Sequence, residues 1–146
     1  MKLKQLGVNF PAAPSASDVQ LGLAQTQSNL VGKEIEDLID LPEMTAQISL
    51  AAMRILSRAV SPAAQAVPEQ VPLIACQQVN LSIKHGNAPA SAIAYAIYGS
   101  ILCHVVGDIE ASFRFGKLAL SVLERFNAKE LQAKTLNFTD AIPSKG

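Results

Sequence analysis

The sequence predicts an all-α protein, and three observations predict it. Apolar residues recur at spacings of three and four from about Ser17 to Leu136. Helix-starting and helix-stopping residues punctuate that rhythm, among them Ser17-x-x-Gln20, Gly107-Asp108 and Ser61-Pro62. No Val- or Thr-rich run alternates with polar residues, so no strand is expected. The 146 residues suit one compact domain or one piece of a larger array, and 49% hydrophobic content supplies a core. Aromatics are only 5% and Trp is absent, so Ala, Leu, Ile and Val must do the packing, as between closely spaced helices.

In order, Met1 to Leu6 reads as the end of a helix stopped by Gly7, Pro11 and Pro14. Ser17 and Gln20 have the spacing of a capping box that opens a helix through about Leu30. Its apolar face, Val19, Leu23, Ala24 and Leu30, is weak. Glu34 to Leu41 is a short acidic helical piece with Ile35, Leu38 and Ile39 inward, ended by Pro42. Thr45 can cap the next helix, whose stripe is Ile48, Ala52, Ile55 and Ala59. Ser61-Pro62 is expected to end it, with a Pro- and Ala-rich connector to about Pro68. A further helix runs from about Glu69 to His85, with Pro72 tolerated in its first turn. Ile74, Leu81 and Ile83 anchor it, Lys84 and His85 suit its negative end, and Gly86 stops it.

Two segments then organise the chain. Pro89 to Val106 is apolar around most of its circumference, with stripes Ile93, Ile97, Ile101, Val105 and Tyr95, Tyr98, Leu102, Val106. Such a helix must be covered on more than one side, and it is too short and interrupted to read as a membrane span. Gly99 inside it costs about 1 kcal/mol relative to Ala, which close approach of a neighbour would offset. Asp108 to Phe126 is amphipathic, with Ile109, Phe113, Gly116, Leu120 and Leu123 on one face. Glu110, Arg114, Lys117, Ser121 and Glu124 lie on the other. Gly107 can end the first helix in the left-handed conformation and Asp108 can cap the second. So short a joint makes a helical hairpin. Another helix begins at Ala128 and runs to Leu136, giving one helical region over residues 1–136. Residues 137–146 read as an irregular tail.

The hairpin resembles a tetratricopeptide unit. Tyr95, Tyr98, Gly99 and Leu102 imitate W-x2-L-G-x2-Y, and Ala111 and Phe115 fall where A-x3-F is expected. The resemblance implies antiparallel helical hairpins stacked as a fragment of an α-solenoid.

The chemistry-bearing residues read as structural. Glu34, Glu36, Asp37, Asp40 and Glu43 are a solvated acidic face rather than a metal site. Ala111-x4-Gly116-Lys117-Leu118 imitates a phosphate loop only faintly, because a helix interior denies the free backbone N–H groups such a loop needs. His85 and His104 have no Cys, Ser or second His at catalytic spacing. Tyr95 and Tyr98 are at core spacing, as packing groups whose hydroxyls need partners. Cys76 and Cys103 sit in apolar contexts and are expected to be free and buried. No catalytic, cofactor-binding or metal residues are assigned, and no cofactor is expected. Lys+Arg 12 against Asp+Glu 12 leaves no net charge and no basic stripe for nucleic acid or an anionic membrane. The N-terminus carries no signal-like apolar run, so a cytoplasmic location is expected.

Several stretches are familiar as words: IEDLIDLPEMT at Ile35 to Thr45, AAMRIL at Ala51 to Leu56, VNLSIKHGNAPASAIAYAIYG at Val79 to Gly99, GDIEASFRFGKLAL at Gly107 to Leu120 and FNAKELQAKTL at Phe126 to Leu136. They resemble the helical region of very large bacterial signalling proteins, and the resemblance covers nearly all of residues 3 to 136. In that family a serine/threonine kinase domain and a STAND-type ATPase precede the helical region, and a GAF domain and a sensor histidine kinase often follow. No kinase, Walker or phospho-acceptor motif is present here, so the family's catalytic residues do not carry over. The resemblance implies a non-catalytic scaffold, sensor or interaction arm, with the neighbouring ATPase or kinase domains as protein partners. A self-standing small-molecule binding helical domain is the alternative. After Leu136 the sequence departs from the family, so a truncated or frame-shifted gene remnant is expected. Leu131, Leu136 and Phe138 would then self-associate or fray from about Ala128.

Overall fold

The computed structural model describes residues 13–132 and 135. These residues are mainly helical, with no strand among them; Glu43 and Asn87 alone form an isolated parallel bridge. The elements are α1 (Ala16–Leu30), a 3-10 turn (Ile35–Asp40), α2 (Gln47–Ala66), α3 (Gln70–His85), α4 (Ser91–Ile101), α5 (Ile109–Phe126) and a last 3-10 turn (Lys129–Leu131). The readings for Met1 to Leu6, Leu136, Phe138 and the tail lie outside the described residues. No helix among the described residues is long and apolar enough to cross a membrane.

The starts and stops follow local chemistry, with three corrections. The capping box belongs to Ser15, not Ser17: Ser15 Oγ accepts from Asp18 N at 3.2 Å and Asp18 Oδ2 accepts from Ser15 N at 2.9 Å. An Asp three residues on serves where Glu or Gln was sought. Thr45 does not cap α2; Ala46 stands at that position without a side-chain bond. The preceding chain is held extended, because Met44 N donates to Asn87 O at 2.7 Å. Pro62 does not end α2, which runs on to Ala66. Both Pro62 and Arg58 are exposed, so water can serve the Arg58 carbonyl that Pro62 cannot. Ala63, Ala64, Gln65 and Ala66 then continue the helix, which stops before Pro68 instead.

The core divides along α3. Ala75, Cys76 and Val79 join a large cluster with Leu23 of α1, Tyr95 and Tyr98 of α4, and Phe115 and Val122 of α5. Ile74 and Leu81 join a second cluster with Met44 and with Met53 and Leu56 of α2. α1 and α2 therefore both pack on α3, and α1 comes so close that a Cβ on Gly22 would lie 2.7 Å from Leu73 Cδ2. α4 is buried from Ser91 to Gly99, covered on more than one side as its composition requires. α4 and α5 share the most extensive contact in the protein, and Tyr98 meets Phe115 edge-on at 5.1 Å.

Two apolar faces differ from the expected stripes. α2 buries Ser49, Ala52, Met53 and Leu56 and leaves Ile48 and Ile55 exposed. α5 buries Ser112, Phe115, Gly116, Ala119 and Val122 and leaves Ile109 and Leu120 exposed. Each buried face mixes small residues, which admit the neighbouring backbone, with large ones such as Leu56 and Phe115; Ala52, Gly116 and Leu123 of the expected stripes lie on it, and the exposed Ile and Leu positions are rotated away. Val105 and Val106 are also exposed, contrary to their stripes. α4 ends in one turn of π-helix, Leu102–Val106, and the wider turn carries those two side chains off the core face. Gly107 then takes the left-handed conformation at φ 83°, and Asp108 Oδ1 accepts from Ala111 N at 3.0 Å.

Candidate functional site

Asn87 and Gln78 are the two amides among the buried polar side chains of the described residues. The first is Asn87, in the short joint between α3 and α4. Gly86 ends α3 at φ 102° and ψ 170°, a conformation open essentially to glycine alone. A Cβ there would also lie 2.3 Å from Pro42 O. This close crossing lets Asn87 N donate to Pro42 O at 2.8 Å. Asn87 Nδ2 donates to Leu38 O at 2.7 Å, and Asn87 Oδ1 accepts from the Tyr95 hydroxyl at 2.7 Å. Beside it, Ser82 and Ser91 share a hydrogen bond of 2.6 Å, and Ser91 Oγ accepts from Ala88 N. Each hydrogen-bonding atom of Asn87 thus has a partner, and the joint is locked to the loop after the acidic turn.

That turn is held from its other side by α5. Arg114 bonds Glu36 through Nε at 2.7 Å and reaches Glu34 at 3.0 Å. Arg125 Nη1 donates to the carbonyls of Ile39 and Leu41, each at 2.7 Å. The Arg114 hydrogen bonds hold the Glu36 carboxyl at about 2, well below its usual range.

The second amide is Gln78 on α3. Its Nε2 donates to Met53 O at 3.2 Å and to Ser57 Oγ at 2.9 Å, but its buried Oε1 has no hydrogen-bond partner among the described residues. Gln78 lines a groove of about 510 Å³ between α2, the Ala88–Ala90 joint and the start of α4. Leu50, Met53, Val60 and Ile93 supply apolar wall, and Leu131 of the last turn reaches the same space. Arg54 and Arg58 lie along it at i and i+4, one helical turn apart. Both are exposed, and neither makes a hydrogen bond or ion pair among the described residues. Apolar wall, a few convergent polar groups and this volume are the ordinary make-up of a small-ligand site.

The residues singled out in the sequence fall elsewhere. Ala111, Gly116, Lys117 and Leu118 lie inside α5. His85 closes α3 and His104 stands exposed in the π turn, so they are not brought together. Among the described residues no three His, Cys, Asp or Glu side chains converge as a metal-binding group. Cys76 and Cys103 are free, Cys76 buried and Cys103 half-buried. Burial pushes the Cys76 thiol up to about 11, which keeps it protonated near neutrality. Burial likewise raises both tyrosines far above their ordinary range. The Tyr95 hydroxyl has its partner in Asn87; the Tyr98 hydroxyl has none among the described residues, contrary to the expectation for a core tyrosine.

Sequence reasoning passed over Asn87, Gln78 and the arginines. A glutamine in the middle of a helix buried on two sides was a signal for Gln78, and R-x3-R one for Arg54 and Arg58. No protein-family profile, curated protein or solved structure matches the chain.

Proposed function

We infer that this chain acts as a non-catalytic, helical sensory or interaction module of a cytoplasmic multidomain signalling kinase/ATPase. Its partner is a neighbouring ATPase or kinase domain, and neither nucleic acid nor membrane is engaged. The tip of the α4–α5 hairpin carries this reading. There Val105, Val106 and Ile109 stand 54%, 49% and 50% exposed, grouped at the end of the most tightly packed part of the protein. A rigid hairpin with an apolar tip is suited to carry a contact to a second folded domain. The hairpin itself is the tetratricopeptide-like unit of the array. Tyr95 and Tyr98 lie 6.1 and 5.1 Å from Phe115, which supports the pairing of the two half-motifs.

The test mixes the full chain with the STAND-type ATPase domain of a family member and measures association and ATP turnover. Association is expected, weakened about tenfold or more by Val106→Asp, with the melting temperature unchanged. No association, or association indifferent to that charge, would sink the reading. Self-association through the α5 face bearing Leu120 is the competing occupant of the surface. Sedimentation at several concentrations separates it, since it alone makes size depend on the concentration of this chain.

A self-standing small-molecule binding domain is the second reading, and the Gln78 groove favours it. A scaffold surface requires no concave apolar space, whereas a ligand site does.

A further inference from the structure

We propose that the Gln78 groove binds a small amphipathic carboxylate, with its apolar body against Met53, Val60 and Ile93 and its head group between Arg54 and Arg58. The proposal rests on the ligand-binding reading and names the ligand class for it. Three observations select the class. The walls are apolar, so the body of the ligand must be apolar too. Arg54 and Arg58 are neighbours on one helix face and neither has an acidic partner among the described residues, in contrast to Arg114 with Glu34 and Glu36. Paired guanidinium groups match a carboxylate by two-point hydrogen bonding. The volume of about 510 Å³ sets the size. A cavity of ~150 Å³ takes one benzene ring, so this groove accommodates roughly 20 non-hydrogen atoms at the same filling. A medium-chain monocarboxylic acid fits within that limit.

Gln78 adds selectivity. Its amide nitrogen is spent on Met53 O and Ser57, while Oε1 has a bond left to make. A hydroxyl or N–H on the apolar body, close to the head group, would supply the missing donor once the side chain turns toward the groove. A hydroxy- or N-acyl-amino acid of this size is therefore preferred over the plain acid.

The experiment is calorimetric titration of the full chain, below micelle concentration, with decanoate, 3-hydroxydecanoate, decanol and decyltrimethylammonium. Fluorescence of the neutral probe N-phenylnaphthylamine reports on the groove independently. One molecule of decanoate is expected per chain, bound more tightly than decanol, with decyltrimethylammonium weakest. Arg54→Ala/Arg58→Ala should weaken decanoate about tenfold or more and leave decanol unchanged. Lys33→Ala/Lys84→Ala, which removes two exposed cations elsewhere, should change neither. Gln78→Leu should abolish any preference for the hydroxy acid, and circular dichroism melting confirms that each variant is folded. If the neutral probe and decanol bind as well as decanoate, or the double arginine variant binds decanoate normally, the carboxylate class is wrong and the ligand-binding reading survives. If no probe binds, or binding is many to one as for a detergent, the ligand-binding reading falls and the proposal with it.

Discussion

Asn87 and Gln78 are both buried amides on or beside α3, yet they stand in opposite conditions. Every polar atom of Asn87 has a partner inside the protein, among Leu38, Pro42, Met44 and Tyr95. Among the described residues, Gln78 keeps one acceptor unpaired and lines a groove with two arginines that also lack partners. A satisfied buried polar group specifies a fold, because every alternative arrangement strands some of its atoms. An unsatisfied one costs free energy that only something further can recover. The difference separates the part of the interior that holds the chain together from the part we assign to an outside molecule.

The largest effect should come from the joint that delivers Asn87. Gly86→Ala places a Cβ against Pro42 O and forces a conformation that costs about 1–3 kcal/mol by itself. With the crossing pushed apart, the total loss should be about 4 kcal/mol, at the upper end for a point substitution. Next comes Asn87→Ala, which strands the Tyr95 hydroxyl and releases Leu38 O, for about 3 kcal/mol. Urea midpoints should fall in that order. A fall of under about 1 kcal/mol for Asn87→Ala would break the comparison from the Asn87 side.

Tyr95→Phe sharpens it. The ring stays against Phe115 while Asn87 Oδ1 loses its donor, so about 1–2 kcal/mol should be lost. Gln78→Leu tests the opposite prediction, since it removes an amide already short of a partner. Ser57 is only half-buried and can turn its hydroxyl elsewhere, so stability should stay within about 1 kcal/mol of the parent. Equal losses at Gln78 and Asn87 in urea titrations would mean that both amides are simply structural.

The sequence announced the Asn87 region in part and the groove hardly at all. Helix class, the Gly107-Asp108 joint, the stop at Gly86 and the free cysteines depend on residues a few positions apart, and a reader of the chain sees them directly. The faces of α2 and α5 were placed only in part: Ala52, Gly116 and Leu123 are buried as expected, but Ile48, Ile55, Ile109 and Leu120 are not, and Ser49, Met53, Leu56, Ser112 and Phe115 are buried instead. Pro62 was read as a stop because solvation of the Arg58 carbonyl is not visible in one dimension. The acidic turn is the solvated face it was read as, and its carboxylates are exposed, yet Arg114 and Arg125 also grip the turn across separations of 78 to 86 residues. No local pattern announces such pairs. Gln78, Arg54 and Arg58 matter for bonds they do not make, which only the folded chain shows.

The smallest effect belongs to the acidic turn, which both kinds of contact reach. Asn87 holds Leu38 O from inside with an uncharged bond, and Arg114 holds Glu34 and Glu36 from outside with charged ones. Exposed ion pairs contribute little and are screened by salt. The Glu36 carboxyl is depressed from an ordinary 4.5 to about 2, chiefly by its hydrogen bond from Arg114. A depressed carboxylate contributes its full stability above the unfolded value and loses it as the pH falls through the folded one. Arg114→Gln should therefore lower the urea midpoint slightly at pH 7, and its gap to the parent should close as the pH falls from about 4.5 to about 2. About 1 M salt should close most of the same gap at pH 7. The loss from Asn87→Ala should be indifferent to salt, because no charge is involved. A salt-resistant Arg114→Gln deficit would mean that α5 grips the turn through packing rather than through its charge.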